Sequence, residues 1–401
     1  MSDIVVIGAG QAGCSLVAKL RSLGHEGKIT LIGEEGAPPY QRPPLSKAYL
    51  LGEMDRERLY LRPEQFYADN GIDLKLADTA VAIDRKDKVV VAGGEAIPYD
   101  KLALTVGSVP RRLPGAIGGE LQGVHVVRTL ADVDTMAPAC VEGARVLIVG
   151  GGYIGLEAAA VCAKLGMQVT LIEMAERILQ RVAAPQTSDF FRDLHRSHGV
   201  DIREGVGLDR LLGEDKVTGA LLTDGTELLL DMVVVGIGIS PVTSIAEACG
   251  IALDNGIAVD EFGRTSDPDI YAAGDCASFP FDGGRIRLES VQNAIDQAEN
   301  VAQNMVGEDV AYHPEPWFWS DQYDVKLQIA GLNTGYDQIV TREKDGALSH
   351  WYYQGDRLLA VDAMNAPRAY MVGKRLLAMG KSPAPETIAD TTIVIKDLLR
   401  P

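Results

Sequence analysis

Cysteine is sparse in this chain, and none of it is arranged for redox work. Five cysteines occur among 401 residues: Cys14, Cys140, Cys162, Cys249 and Cys276. No two form a C-x-x-C or a wider redox pair, and no four have zinc or iron–sulfur spacing, so they read as reduced, mostly packed thiols. His195 and His198 of "LHRSH" could face a metal together, but they lack a carboxylate or thiol companion and read as a solvated helix face. Positive charge is also short, with 38 Lys and Arg against 56 Asp and Glu and a net charge of −18. That argues against a binder of nucleic acid or anionic membrane, which needs clustered Lys and Arg. It leaves room for a small acidic partner on a local basic patch. No apolar run is long enough to span a bilayer. The start, "MSDIVVIG", has no basic stretch before its apolar residues. It reads as a buried strand and not a signal peptide, and the protein is expected in the cytosol.

What the chain does have is a globular composition, 46% hydrophobic and 23% charged. Its length suits two or three domains. It also contains a repeat. Residues 4–35 read "IVVIGAGQAGCSLVAKLRSLGHEGKITLIGEE" and residues 146–176 read "VLIVGGGYIGLEAAAVCAKLGMQVTLIEMAE". Each has a β-branched strand, a glycine-rich turn, an apolar helix ending in "LG", and a second strand "TLI" leading to an acid. That is a βαβ nucleotide-binding unit occurring twice.

Each glycine has its own task. Gly8 and Gly150 permit the tight turn out of the strand, Gly10 and Gly152 let a pyrophosphate approach the backbone, and Gly13 and Gly155 let the helix pack on the sheet. The phosphates then meet the free N–H groups of the helix N-terminus. Glu34 and Glu173 end the second strands, about twenty residues on, where an acid can accept from ribose hydroxyls. Two nucleotide sites without a side-chain redox pair suggest hydride transfer between two bound cofactors. Flavin and nicotinamide are the natural couple.

Other segments are less specific alone. "PPYQRPPLSKAYL", 38–50, is a loop stiffened by four prolines that carries Arg42 and Lys47, and a rigid surface loop is the plainer alternative. "YDKLALTVGSVPR", 99–111, is a strand followed by a Gly/Pro turn. "TSDPDIYAAGDCA", 265–277, is a buried strand ending at Gly274-Asp275, where the Asp reads equally as a cofactor ligand or an ordinary turn residue. From about 315 the texture changes. "PWFWSDQYDVKLQIAG" has clustered aromatics and then alternation, "SHWYYQGDRLLAVDAMN" reads as two strands joined by a Gly-Asp turn, and helical patterns follow.

Through "GAGQAG", "QRPPLSK", "RTLAD", "GGGYIGLE", "TSDPDIYAAGDCA", "IRLESVQNAIDQAENVA", "PWFWSDQY" and "YYQGDRLLAVDAMNAP", the chain resembles, essentially end to end, a known family. These are the FAD-dependent, NADH-using ferredoxin reductases of bacterial monooxygenase systems, of the putidaredoxin-reductase type. Rubredoxin reductases and dioxygenase ferredoxin reductases lie nearby. The resemblance implies an α/β chain with two Rossmann-like domains and a C-terminal α+β domain. FAD would be bound by a discontinuous domain of 1–112 and 244–314, NADH by 113–243, and the last domain would cover 315–401.

Carried over by position, Gly8, Gly10, Ala12 and Gly13 would hold the FAD pyrophosphate and Glu34 the adenosine ribose. Arg42, Lys47, Val81 and Arg128 would line the rest, with Asp275 on the ribityl–phosphate stretch and Val291 near the isoalloxazine. Gly150, Gly152, Tyr153, Ile154, Gly155 and Glu173 would hold NADH, with Glu173 accepting from the 2′-hydroxyl and repelling a 2′-phosphate. Arg177, four residues on, could oppose that discrimination. The usual "ATG" strand end is "LTVG" here, so Thr105 receives no role.

Lys47 and Glu157 are the expected catalytic pair, although a Glu early in a helix can also serve the macrodipole. The helix in 291–302 would aim its N-terminus at the flavin pyrimidine edge, with an amphipathic surface helix as the plainer alternative. Trp319 is a candidate electron-exit residue or else core packing. The expected function is transfer of a hydride from NADH to FAD and of single electrons to a 2Fe–2S ferredoxin, supplying a cytochrome P-450 type monooxygenase, by a monomer. Rubredoxin reductase, dioxygenase ferredoxin reductase and a non-enzymatic FAD-retaining interaction protein are the alternatives. A disulfide reductase would need a C-x₄-C pair, and a cysteine peroxidase a Cys in "QRPPLSKAYL"; neither is present.

Overall fold

The computed structural model describes residues 2–400. The chain divides into two compact units. The first comprises 1–42, 55–109 and 239–314; the second comprises 43–54, 110–238 and 315–401. The segment that carries Lys47 therefore belongs to the second unit. The parts expected as a nucleotide domain and a separate C-terminal domain lie within that same unit.

In the first unit, five parallel strands lie in the order Ile270–Ala272, Lys101–Leu104, Ile4–Ile7, Ile29–Ile32 and Ile72–Lys75. The runs "IVVI" and "ITLI" are buried along their whole length, as strands covered on both faces must be. One face packs against the helices Gln11–Ser22 and Val291–Met305 through Leu16, Val17, Leu20, Ala298, Val301 and Met305. The other is covered by the antiparallel strands Ala80–Asp84, Val89–Ala92 and Glu95–Pro98, through Ile83, Val90, Ala92 and Ile97. The helix Val291–Met305 is no plain surface helix. Asn293, Gln297, Asn300 and Asn304 are buried along it, and Gln297 Oε1 accepts from the Gly274 N–H at 2.9 Å.

The second unit repeats the scheme. Its parallel sheet runs Asp201–Glu204, Gln168–Glu173, Arg145–Val149, Met232–Val235 and Val124–His125, with the helix Tyr153–Lys164 following the central strand. Beside it stands a five-stranded antiparallel sheet ordered Trp317–Gln322, Val325–Gly331, Arg357–Met364, Ala347–Gln354 and Gln338–Lys344. The helix Pro367–Ala378 closes a core on it around Trp351, Tyr353, Val361 and Leu376. No helix among the described residues is long and apolar enough to cross a membrane.

One sequence expectation is overturned. His195 is not on a solvated face; it is fully buried. It follows buried Phe191 by four positions on the helix Pro185–Ser197, so both share the inner face. Only His198 is exposed, stacked on Tyr323 with centroids 3.7 Å apart.

The C-terminal segment is tied down by one buried cation. The Arg342 guanidinium donates to the carbonyls of Ile388, Asp390 and Ile393, each at 2.7 Å. Arg342→Met removes three charge-assisted bonds and leaves carbonyls unpaired. It should cost roughly 3 kcal/mol in a denaturant melt, and amides after residue 385 should exchange faster with deuterated water.

Candidate functional site

The two glycine turns are built alike. Gly8 has φ +110° and Gly150 +106°, and a Cβ would meet the Thr105 carbonyl oxygen at 2.3 Å in one and that of Gly236 at 2.5 Å in the other. Only glycine fits both the conformation and the approach. A Cβ on Gly13 would lie 2.1 Å from Gly8 O, and one on Gly155 would lie 2.0 Å from Gly150 O. The helix start is thus pressed onto the strand end. At the middle glycines the reverse holds: nothing lies within 4 Å of a Cβ on Gly10 or Gly152. These are the N-caps of their helices, and neither has a side-chain cap bond. Open space over helix-terminal N–H groups is what a pyrophosphate requires. The residues present therefore fit one dinucleotide in each unit.

Thr105, which the sequence reading left without a role, locks the first turn. Its Oγ1 donates to the carbonyls of Ile7 at 3.0 Å and Gly8 at 2.8 Å. The signal was a lone Thr at a strand end, too common to read without its partners.

The acids after the second strands differ. Glu34 is exposed, while its neighbour Glu35 pairs with Arg42 Nη2 at 2.6 Å and accepts from Tyr40 Oη at 2.5 Å. The proline-rich loop is pinned by Glu35, a residue that carried no sequence assignment. Glu173 is held by the backbone: its oxygens accept from the N–H groups of Gly151 and Ala175, each at 2.8 Å. Arg177 turns away from any such task, donating to Ser188 Oγ at 2.5 Å and to the Ala183 carbonyl at 2.9 Å.

In the first unit Asp275 Oδ2 accepts from Ser108 Oγ at 2.7 Å. Val291 opens its helix behind the Ser290 cap, whose Oγ accepts from the Asn293 N–H at 3.1 Å. Ala12 is buried on the helix after the first cradle, whereas Val81 is 67% exposed on the covering sheet. In the second unit the Arg128 N–H donates to Asp132 Oδ2 at 3.1 Å, beside the capping box of Thr129 and Asp132. Ile154 is exposed at the helix start, and the Tyr153 ring lies 4.9 Å from that of Phe318.

Lys47 and Glu157 meet. Their Nζ and Oε1 atoms are 3.0 Å apart, and Asp321 lies 3.6 Å from the same ammonium. Glu157 is buried, and its remaining bonds come from two hydroxyls: Ser320 donates to Oε1 at 2.7 Å and Ser46 to Oε2 at 3.2 Å. Burial pushes the Glu157 carboxyl above its ordinary range, and the Lys47 ammonium and the two hydroxyls oppose the push. This Glu is engaged by side chains from two distant segments, beyond any macrodipole role. Sequence reasoning missed Ser46 and Ser320. The alternation of "WFWSDQ" was the available sign, since Ser320 and Gln322 are its buried positions.

All five cysteines are free thiols, and Cys140 Sγ donates to the Met136 carbonyl at 3.7 Å. Among the described residues no group of three His, Cys, Asp or Glu could hold a metal ion.

The pyridine nucleotide-disulphide oxidoreductase family profile matches residues 2–298, and the reductase C-terminal profile matches residues 317–399. The chain is 43% identical to the 5,5'-dehydrodivanillate O-demethylase ferredoxin reductase subunit of a Sphingobium strain, covering 99% of this chain and 98% of that one. It is 42% identical to rhodocoxin reductase of Rhodococcus erythropolis, covering 98% and 93%. Among solved structures, the covalent putidaredoxin reductase–putidaredoxin complex matches with TM-score 0.96 and 40% identity, over 99% of this chain and 98% of that chain.

Removing one partner of a buried ion pair strands the other. Lys47→Met should destabilise the protein by roughly 3 kcal/mol, and Lys47→Met with Glu157→Gln by clearly less. A double-mutant cycle of denaturant melts checks this; a double-mutant cost equal to the sum of the two single-mutant costs would mean that the pair is not coupled.

Proposed function

We propose, from the premise that this chain belongs to the pyridine nucleotide-disulphide oxidoreductase family, that it passes electrons from NADH to a 2Fe–2S ferredoxin which supplies a cytochrome P-450 type monooxygenase. The chain is an FAD- and NAD(H)-using oxidoreductase of the ferredoxin and rubredoxin reductase class. In this reading it works as a monomer in the cytoplasm. The observation that supports it most is the doubled phosphate cradle in a chain without a C-x₄-C pair.

Bound FAD supplies the conversion between a donor that gives electrons in pairs and acceptors that take them singly. The protein's part is to bind, orient and tune. Gly8, Gly10 and Gly13, with Ala12 behind them, would hold the FAD pyrophosphate, with Glu34 at the ribose, Asp275 on the ribityl–phosphate stretch and Arg42, Lys47, Val81 and Arg128 along the remainder. The Val291 helix, capped by Ser290, would present its positive end to developing negative charge. Gly150, Gly152 and Gly155, with Tyr153 and Ile154, would hold NADH. Lys47 and Glu157 act as one unit, the carboxylate fixing where the ammonium stands.

Trp319 is half-buried, 5.5 Å from the Trp317 ring, and lies outside the aromatic core around Trp351. This supports an exit surface over core packing. NADH-driven cytochrome c reduction, with host ferredoxins and rubredoxins added singly, tests the acceptor. Turnover with a rubredoxin alone would replace the ferredoxin reading.

Glu173 presents its carboxylate at the end of the strand with Arg177 occupied elsewhere. Glu173→Ala should therefore narrow the preference for NADH over NADPH, and Glu173→Arg should invert it or nearly so, in the ratio of kcat/KM values. Trp319→Ala should leave flavin reduction by NADH nearly unchanged in rapid mixing and slow ferredoxin reduction. A melting temperature lowered by the equivalent of about 3–5 kcal/mol would instead identify a core residue.

A further inference from the structure

Behind Glu157 a chain of hydrogen bonds runs back through the second unit to the surface. Ser320 Oγ is 2.7 Å from Glu157 Oε1, and Gln322 Nε2 is 3.1 Å from Ser320 Oγ. Gln322 Oε1 is 2.8 Å from His195 Nε2, and the other ring nitrogen, Nδ1, is 3.1 Å from Tyr323 Oη. Ser320, Gln322 and His195 are fully or almost fully buried, and Tyr323 is half-buried beneath exposed His198. Tyr323 sits in the turn after the strand Trp317–Gln322 with φ +56°, a left-handed conformation uncommon for a large residue.

The direction of every bond follows from its end. A carboxylate only accepts, so Ser320 donates to it and must itself accept from the Gln322 amide. The amide oxygen then faces His195, whose Nε2 must carry the proton. Nδ1 is left bare and accepts from Tyr323. A neutral imidazole in one tautomer satisfies every link, and burial pushes the His195 pKa down to about 4, consistent with that neutral form. All the dipoles point the same way, with donors aimed at Glu157.

We propose that Ser320, Gln322, His195 and Tyr323 form a one-way donor relay that keeps Glu157 ionised, and thereby holds the Lys47 ammonium in its working position. These are positioning residues acting through Glu157. The proposal rests on the catalytic reading of the Lys47–Glu157 pair.

The chemistry makes such a device necessary. Glu157 is buried, and one ammonium and two hydroxyls are the groups that hold its charge. Other charges on the packed elements are engaged elsewhere: Lys164 of the same helix with Glu53, Arg145 with Asp231, Glu173 with backbone N–H groups, and Asp321 with Lys47 itself. A hydroxyl whose own oxygen accepts a bond is a stronger donor, so each link polarises the next. If the relay is cut, the carboxyl takes up a proton at higher pH, and the neutral acid no longer holds Lys47.

The test uses the FAD-loaded enzyme and the variants Ser320→Ala, Gln322→Met and Glu157→Gln. Flavin reduction by NADH is followed by rapid mixing across pH. The Glu157 carboxylic-acid band, assigned by its loss in Glu157→Gln, is titrated by infrared difference spectroscopy. In Ser320→Ala the acid limb and the infrared titration should both move up by about one pH unit, so that the rate falls by up to about tenfold at pH values below the wild-type limb and stays within about twofold on the plateau above the variant's limb. Gln322→Met, one link further away, should give the same shift reduced in size. A melt and the FAD content of each variant confirm folding.

A rate lowered equally at every pH, with the infrared titration unmoved, would mean that the relay is only structural and would overturn the proposal. So would an unshifted profile in a folded Ser320→Ala. If Glu157→Gln itself reduces the flavin at the normal rate, the catalytic reading of the pair fails. The infrared shift in Ser320→Ala still decides whether the relay controls the charge.

Discussion

A carboxylate taken out of water must be met by charge and hydrogen bonds, and Glu157 shows how much structure one such group can organise. Its position on the helix after the second glycine cradle is buried against the sheet that includes Trp317–Gln322. The neutralising ammonium comes from the proline-rich segment, 110 residues earlier in the chain. That requirement accounts for the membership of Pro43–Met54 in the second unit. The ion pair, the two serine hydroxyls and the Tyr49–Asp134 hydrogen bond at 2.7 Å attach the segment there. An apolar residue at position 157 would take from Lys47 the nearer of its two carboxylates, leaving Asp321 at 3.6 Å, and would remove the acceptor that Ser46 and Ser320 share.

The two nucleotide cradles obey a different constraint, one of approach. A helix whose N–H groups are to face an anion must begin almost against the strand that precedes it. In both units the first and third glycines absorb that contact, while the middle one faces open space. The agreement between the two copies, at sequence positions 142 residues apart for Gly8 and Gly150, is physical and not incidental. The details that differ are the supports. Thr105 locks the first turn by side-chain bonds, whereas the residue at the same close approach in the second is Gly236, which has no side chain to do so. The acids differ as well, Glu34 being exposed and Glu173 held at both oxygens by backbone N–H groups.

The contrast between Phe191 and His195 shows how sequence reading loses its hold. The four-residue spacing placed both on one helix face, but a histidine near an acidic and basic helix end is most simply solvated. It is buried because a glutamine from a distant strand satisfies one ring nitrogen and a tyrosine the other. Ser320 and Gln322 were hidden for the same reason: the alternation of their strand marks them as inward-facing, but two polar residues there have no assigned task until their partners are known.

What the sequence determined by itself was everything carried by local periodicity and by glycine. The two βαβ units, the buried parallel strands, the hairpins of the last hundred residues and the two anion cradles follow from short-range sterics, which act between residues a few positions apart. The tertiary structure alone decided which chain segments group together, which acid is paired and which histidine is dry. Those outcomes depend on desolvation and on hydrogen-bond partners supplied from far along the chain. A buried polar side chain is tolerable only when such partners arrive, and no local pattern records their arrival.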